Sequence, residues 1–279
     1  MKEIAILYSG GTDSTAAAVL MSKEFDKVHL LTYQRFGIFS IKNSSFNYPF
    51  LENKFGKDKF IHKILKVDRL FKEISYVQYG KNLKKYGFFL LATCELCKLT
   101  MHLRTLVYCL ENNIKAVACG ANKNMIFFPD QTPECMVEIR KFYARYGISY
   151  FNPVYDFDCP EEDIDWIHKL GLNDIRSALK MNEPSNKEAC TTSRFLFNEG
   201  VIDVRNIKAL KRGQKMQPRC FQFTLFNIFL HWYFLPAYGF DKYKGMAVDL
   251  CKCRIDYFTS MVDEYLARKN KSRLFELIK

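Results

Sequence analysis

The sequence contains no apolar stretch long enough to cross a lipid bilayer. Its longest apolar run, residues 221–235, spans about fifteen residues and includes Gln222, Asn227 and His231, whereas a membrane-spanning helix needs about 20. We predict that this run forms a buried core helix, with a segment at a membrane interface as the weaker alternative. The chain also shows no secretory signal, so we expect a cytoplasmic protein without a membrane partner.

Proline, glycine and histidine are scarce, with 8 Pro, 13 Gly and 5 His among 279 residues. The low proline and glycine content excludes collagen-like and low-complexity chains. No two histidines have the spacing of a metal-binding pair, and no Ser/His/Asp arrangement is supported by spacing. Because hydrophobic residues make up 48% of the chain and charged residues 26%, the sequence indicates a globular protein with a substantial core.

Acidic residues are fewer than basic ones, 30 against 42, which gives a net charge of +12. A chain this basic attracts polyanions such as nucleotides or RNA. Basic residues recur at steps of three or four at Arg205, Lys208, Lys211, Arg212, Lys215 and Arg219, and residues 54–85 form a second basic region. A phosphate-contacting stripe and a solvated helix face both give this pattern, so both interpretations stay open.

The first half of the chain alternates short apolar runs with stretches of helical spacing. Predicted strands cover residues 4–8, 28–33, 61–67 and 115–119, and predicted helices cover residues 14–24 and 95–111. This alternation predicts an α/β fold, with a parallel sheet and helices on both faces. Beyond residue 158 helical patterns dominate, so we expect an α/β domain over residues 1–157 and a mainly helical substrate-binding region over residues 158–279.

The sharpest motif is the loop between the first predicted strand and helix. It reads Ser9, Gly10, Gly11, Thr12, Asp13, Ser14. This placement directs backbone N–H groups and the positive helix end at a bound anion, and the glycines let the backbone approach phosphate oxygens. Asp13 would repel a bare phosphate, so we expect it to hold a magnesium ion that bridges phosphates. The loop is neither a Walker A motif nor a dinucleotide fingerprint.

The loop resembles the SGGxDS loop of the ATP pyrophosphatases, the PP-loop or adenine nucleotide alpha hydrolase-like superfamily. The resemblance implies a HUP-like nucleotide-binding domain that binds ATP and Mg²⁺, with the loop on the β and γ phosphates. It also implies that Thr32 and Tyr33 seat the adenine, and that Gly120 lies where the chain passes close to the nucleotide.

Ten cysteines are more than a cytoplasmic chain of this size needs for packing. Cys94 and Cys97 form a CxxC at a predicted helix start, where two thiolates can share a metal or cluster, or act as a redox pair. Cys190 lies 93 residues after Cys97 in a polar segment. Cys251 and Cys253 form a CxC that could join Cys94 and Cys97 in a zinc site, form a redox relay, or serve packing alone.

This arrangement of cysteines resembles the iron–sulfur thiolation enzymes of the same superfamily, such as the tRNA 2-thiocytidine and 2-thiouridine synthetases. The resemblance implies a 4Fe-4S cluster on Cys94, Cys97 and Cys190 with one iron left open. The segment from Cys190 to Arg194 also resembles the Cys-x-x-Ser-Arg stretch of the sulfur transferases that mature the lactate racemase cofactor. That likeness implies sulfur handling by Cys190 and a phosphate contact by Arg194.

We therefore predict an ATP-dependent adenylating sulfurtransferase that thiolates a carbonyl of a nucleobase, a tRNA or a small metabolite and releases AMP and pyrophosphate. The expected catalytic residues are Asp13, Cys94, Cys97, Cys190 and Arg194, and the expected partners are a sulfur donor and a second copy of the chain. One alternative is an ATP pyrophosphatase that forms a C–N bond, like the deazaguanine-forming synthases, with structural zinc on the cysteines. Another is a non-catalytic nucleotide- or RNA-binding module.

Overall fold

A parallel sheet of five strands forms the centre of the protein. The computed structural model describes residues 1–77, 79–91, 94–125, 128–157, 191–202 and 216–279. The strands of both sheets in the described residues are, in chain order, β1 (Glu3–Leu7), β2 (Lys27–Gln34), β3 (Ile38–Phe39), β4 (Phe60–Lys66), β5 (Ala116–Cys119), β6 (Ser149–Phe151) and β7 (Arg219–Cys220). The sheet has the order β4-β2-β1-β5-β6, and β3 and β7 form a separate antiparallel pair.

Helices cover both faces of this sheet. They are α1 (Thr12–Ser22), α2 (Tyr48–Phe55), α3 (Asp68–Tyr76), α4 (Tyr79–Leu91), α5 (Glu95–Asn112), α6 (Pro133–Arg145), α7 (Thr192–Asn198), α8 (Phe221–Phe229), α9 (Leu235–Tyr238), α10 (Phe240–Arg268) and α11 (Arg273–Ile278). Alternate residues of β1 explain the two layers: Ile4 and Ile6 pack with α1, whereas Ala5 and Leu7 pack with α5. The predicted α/β fold with helices on both faces is therefore confirmed.

The sequence patterns place the ends of the four predicted strands and two predicted helices within two residues of those in the structure. Helix α5 ends where expected, because Asn113 adopts the left-handed backbone conformation at its C-terminus with φ of 55°. The long helix α10 packs against α5 and α6 in the core on one face of the sheet. The division at residue 157 stays a prediction, because residues 158–190 lie outside the described ranges.

The expectation of a buried core helix over residues 221–235 is wrong. The segment forms α8 and a π-helical turn over Leu230–Phe234, and it buries Phe226, Leu230 and Phe234, which recur every four residues on one face. The other face is open, with Phe221 60% and Trp232 83% exposed. The sequence did not reveal this division, because apolar residues occur on every face of the run and leave little helical periodicity. None of the helices in the described residues is long and apolar enough to cross a membrane.

The order in which strands are added to the sheet changes direction between β1 and β5. Strand β2 lies on one side of β1 and β5 lies on the other, with Leu7 paired to Cys119 at the carboxyl end. In open α/β sheets, the crevice outside the carboxyl ends of the strands at such a point is where ligands bind. The glycine-containing loop and Gly120 both lie there, directly after β1 and β5.

Candidate active site

The loop after β1 presents the open N-terminus of α1. Gly11 is the residue before the helix and offers no side chain to cap its first amides. The Ser9 and Ser14 hydroxyls lie 3.1 Å apart, and the Gly11 amide donates to Ser9 Oγ at 3.3 Å. The amides of the first turn and these hydroxyls form a set of donors suited to phosphate oxygens.

Two glycines allow backbones to meet closely around this loop. Gly10 has φ of +82°, and a Cβ there would lie 2.7 Å from the Cα of Ser44. A Cβ on Gly120 would lie 2.6 Å from the amide nitrogen of Ser14 and 2.7 Å from the carbonyl carbon of Asp13. Gly120 therefore lets β5 approach the start of α1, which holds the loop against the sheet.

Asp13 is the acidic residue of the loop, and its carboxylate faces a hydroxyl from a distant helix. Thr192, in the first turn of α7, donates its hydroxyl to Asp13 Oδ1 at 2.5 Å. Burial raises the pKa of Asp13, and the Thr192 hydrogen bond and the Lys98 charge oppose that shift. A partly desolvated carboxylate beside phosphate donors is suited to Mg²⁺, which takes oxygen ligands from carboxylates and phosphates.

A cavity of about 540 Å³ opens beside the loop. Cys94, Cys97 and Cys220 also line it, and together they form what we call the thiol wall. The lining of the cavity includes Ser9, Gly11, Thr12, Asp13, Ser14, Thr32, Tyr33, Arg35, Cys94, Cys97, Lys98, His102, Cys119, Gly120, Gln217 and Cys220. A volume of this size lies in the range of small-molecule and cofactor sites. The structure thus brings the predicted phosphate loop, Thr32, Tyr33, Gly120 and the CxxC cysteines to one cavity.

The buried guanidinium of Arg35, just after β2, joins two of these thiols. Its Nε donates to Cys97 Sγ at 2.9 Å, and its Nη2 lies 3.6 Å from Cys220 Sγ and donates to Gln222 Oε1 at 2.7 Å. The guanidinium carbon also lies 4.4 Å from the centre of the Phe71 ring. Burial raises the pKa of the Cys97 thiol, and Arg35 opposes that shift.

Cys220 reaches the cavity through the small second sheet. Ile38 in β3 pairs with Cys220 in β7, which holds the cysteine beside the carboxyl end of β2. Burial, together with the thiols of Cys97 and Cys220, raises the pKa of Cys94. Sequence reasoning gave Cys220 no role, because no spacing rule relates it to the CxxC pair and only the β3–β7 pairing brings it near.

Arg194 is not among the described residues that line the cavity. It is buried on α7, the helix from which the Thr192 hydroxyl reaches Asp13. Cys190 lies outside the described residues, as do the basic residues of 205–215. The cations among the described lining residues are Arg35 and Lys98, and Lys98 lies one residue after Cys97. Burial lowers the pKa of Lys98, but Asp130 and the neighbouring thiols outweigh it, so the pKa is raised and the amine stays charged.

Cys251 and Cys253 do not join the CxxC pair. Cys253 is exposed, and Cys251 is buried beside Glu95 and Cys135. In the part of the chain that the structure describes, no group of three metal-binding atoms within 4.8 Å includes Cys94 or Cys97. The expected alternative of a zinc site built from both cysteine pairs is therefore not assembled.

No family model matches the chain, and no curated protein matches it either. Among solved structures, one similar chain is a predicted subunit of tRNA methyltransferase from Methanocaldococcus jannaschii, at 18% identity and a TM-score of 0.40, over 72% of this chain and 89% of that one. Another is the U34-tRNA thiolase NcsA from Methanococcus maripaludis with its [4Fe-4S] cluster, at 15% identity and a TM-score of 0.33, over 82% and 72%. Likeness this low says nothing about the activity of this chain.

Proposed function

We propose that this protein is an ATP-dependent sulfurtransferase that adenylates a carbonyl oxygen of its substrate and replaces it with sulfur. One observation carries the proposal: the loop suited to phosphate and the thiols of Cys94, Cys97 and Cys220 line the same cavity. A nucleotide held by the loop would place its reacting phosphate in a space that sulfur-carrying groups also face.

The loop end of the cavity accounts for ATP binding. The β and γ phosphates would lie against the amides of the first turn of α1 and the hydroxyls of Ser9 and Ser14. Asp13 would hold Mg²⁺ between phosphate oxygens, and Thr192 orients its carboxylate. Lys98, charged and lining the cavity, would offset the negative charge that develops on the α phosphate.

The thiol end of the cavity has a donor set that fits an iron–sulfur cluster better than a single ion. Cys94, Cys97 and Cys220 face one space, but their sulfurs do not form a group within 4.8 Å. A four-iron cluster separates its cysteine ligands more widely than one metal ion does, and with three cysteines it supplies an iron with no protein ligand. Cys190 is the third ligand that the sequence predicts, whereas Cys119 and Cys220 are the further cysteines that line the described cavity. Of these two, Cys220 shares the Arg35 guanidinium with Cys97.

The reaction proceeds in two displacements, the first at the α phosphorus of ATP and the second at the activated carbon of the substrate. The carbonyl oxygen attacks the α phosphorus of ATP, and pyrophosphate leaves. A sulfide nucleophile then adds to the activated carbon, and AMP leaves with the original oxygen, so that a thiocarbonyl remains. The residues of this chain position the phosphates, neutralise their charge and hold the thiols that face the reacting carbon.

Iron, sulfide and nucleotide analysis of anaerobically purified protein tests this proposal. We expect about four iron and four sulfide per chain, and a large loss of both in Cys94→Ser and Cys97→Ser. Cys109→Ser is the matched control, because Cys109 is a buried thiol of the same helix outside the cavity. Cys190→Ser and Cys220→Ser, measured side by side, identify the third ligand.

The activity arm separates sulfur transfer from the C–N bond-forming alternative. Protein is incubated with Mg-ATP and bulk tRNA or free nucleobases, with either sulfide or ammonia as the nucleophile, and AMP and modified product are measured. Thiocarbonyl product with sulfide supports the proposal. An amide or nitrile product with ammonia, from protein that holds no iron under anaerobic handling, would refute it.

A further inference from the structure

A second cluster of metal-binding side chains lies in the helical core, apart from the cavity. The carboxylate of Glu95 and the thiols of Cys135 and Cys251 all lie within 4.8 Å of one another. Each of the three residues is fully buried, and none lines the cavity. Neither the phosphate loop nor the proposed sulfur chemistry uses them.

Three different helices supply these residues. Glu95 is the first residue of α5, Cys135 lies in the first turn of α6, and Cys251 lies near the middle of α10. Thr132 caps α6 by accepting a hydrogen bond from the Cys135 amide at 3.3 Å, which fixes the turn that carries the thiol. The cluster therefore marks the point where the helical region meets the helix that carries the CxxC pair.

The donor set is suited to zinc. Two thiolates and one carboxylate are ligands that Zn²⁺ accepts, with a fourth tetrahedral position open to water or a further ligand. Magnesium and calcium take oxygen ligands instead, so the two thiols disfavour them. A bound cation would offset the cost of burying a carboxylate and two thiolates side by side in this core.

A buried arginine near the cluster carries the positive charge that would balance a zinc ion bound by these three ligands. One divalent cation with three anionic ligands carries a net negative charge. The Arg254 guanidinium lies one turn after Cys251 on α10 and is only 3% exposed, and its Nε and Nη2 have no hydrogen-bond partner among the described residues. A buried cation with unsatisfied donors beside the cluster is complementary to an anionic metal site.

We propose that Glu95, Cys135 and Cys251 bind a zinc ion that joins α5, α6 and α10. Zinc here would fix the start of α5, and with it the turn that presents Cys94 and Cys97 to the cavity. The site is structural and does not depend on the proposed sulfur transfer.

The test uses the full chain with Cys94, Cys97 and Cys220 all replaced by serine, so that the CxxC pair and Cys220 cannot bind metal. After dialysis against a weak chelator, we expect about one zinc per chain by elemental analysis. Replacing zinc with Co²⁺ should give thiolate-to-cobalt charge-transfer absorption. Adding Cys135→Ser or Cys251→Ser should lower zinc content at least tenfold and abolish that absorption.

Cys253→Ser is the matched control, because Cys253 lies two residues from Cys251 on the same helix but is exposed. It should leave zinc and the cobalt spectrum unchanged. If the buried serine variants fail to fold by far-UV circular dichroism, the cobalt spectrum of the starting chain decides, with Glu95→Gln as the conservative variant that alters it. Absence of zinc and of cobalt–thiolate absorption in the folded starting chain, or a disulfide between Cys135 and Cys251, would overturn the proposal.

Discussion

The Arg35 guanidinium donates a hydrogen bond to Cys97 Sγ at 2.9 Å inside the protein, where Arg35 is only 4% exposed. This contact links the end of β2 to the start of α5, and the second branch of the same guanidinium reaches Cys220 and Gln222. Arg35 thus orders the thiol wall of the cavity that faces the phosphate loop.

Arg35→Met should destabilise the metal-free protein by about 2–4 kcal/mol, because it removes the buried guanidinium that donates hydrogen bonds to Cys97 and Gln222. Arg145→Met is the control, since Arg145 forms an exposed ion pair with Asp263, and this variant should unfold at nearly the same urea concentration as the wild type. Urea unfolding at neutral pH measures both. Equal losses in the two variants would show that Arg35 does not hold the thiol wall.

Asp13→Asn should weaken binding of a non-hydrolysable ATP analogue in the presence of Mg²⁺ at least tenfold, about 1.4 kcal/mol. The amide keeps an oxygen that accepts from Thr192 but loses the charge that Mg²⁺ requires. Isothermal titration calorimetry measures the affinity. Asp26→Asn, which changes an acidic residue away from the cavity, is the control and should bind normally. Unchanged affinity in Asp13→Asn would remove Asp13 from the nucleotide site.

Gly120→Ala should lower both stability and nucleotide affinity, because its Cβ would meet backbone atoms of Asp13 and Ser14 at 2.6–2.9 Å. Backbone cannot yield as a flexible side chain can, so the start of α1 must move away from β5. Gly245→Ala is the matched control: Gly245 is helical with open space around it, so alanine there should stabilise by about 0.5–1 kcal/mol. Thermal melting and nucleotide titration distinguish them, and a Gly120→Ala protein with normal values for both would contradict this role.

His102 should make the protein less stable as the pH falls below neutral. Burial and the nearby Lys98 lower its pKa from 6.5 to about 3. The folded state therefore keeps the imidazole neutral where the unfolded chain takes up a proton, and the free energy of unfolding falls by up to about 1.4 kcal/mol per pH unit across that window.

His102→Gln removes this titration, so its unfolding free energy should change less between pH 6 and pH 4 than that of the wild type. The comparison uses slopes rather than absolute values, because glutamine also loses the ring contacts with Tyr143 and Tyr150. Urea unfolding across the pH range provides the measurement. Parallel curves for the two proteins would mean that His102 titrates alike in both states.

The sequence predicts the sheet and the phosphate loop because their signals are local. Buried strands read as short apolar runs, and the motif from Ser9 to Ser14 directly follows such a run and precedes a helical pattern. The short edge strand β6 was missed because Ser149–Phe151 is too brief to show a period. The exposed face of residues 221–235 was missed because its composition is the same as that of its buried face.

The thiol wall could be predicted only in part. Cys94 and Cys97 are three positions apart and lie at the start of one helix, so their proximity follows from their spacing in the sequence. Arg35 and Cys220 line the same cavity, and Thr192 contacts the Asp13 carboxylate beside it. Strand pairing and helix packing bring these residues together, and neither leaves a pattern in the sequence spacing. The cluster of Glu95, Cys135 and Cys251 is likewise formed by three separate helices.

The central claim is that nucleotide and thiols share one cavity, and thiol footprinting tests it most directly. Metal-free protein is alkylated with iodoacetamide, with and without a saturating Mg²⁺ complex of a non-hydrolysable ATP analogue, and modification at each cysteine is followed by mass spectrometry. The account predicts that the nucleotide slows alkylation of Cys94, Cys97 and Cys220 at least tenfold while the exposed Cys253 reacts at an unchanged rate. Tight nucleotide binding that leaves all four rates unchanged would contradict it.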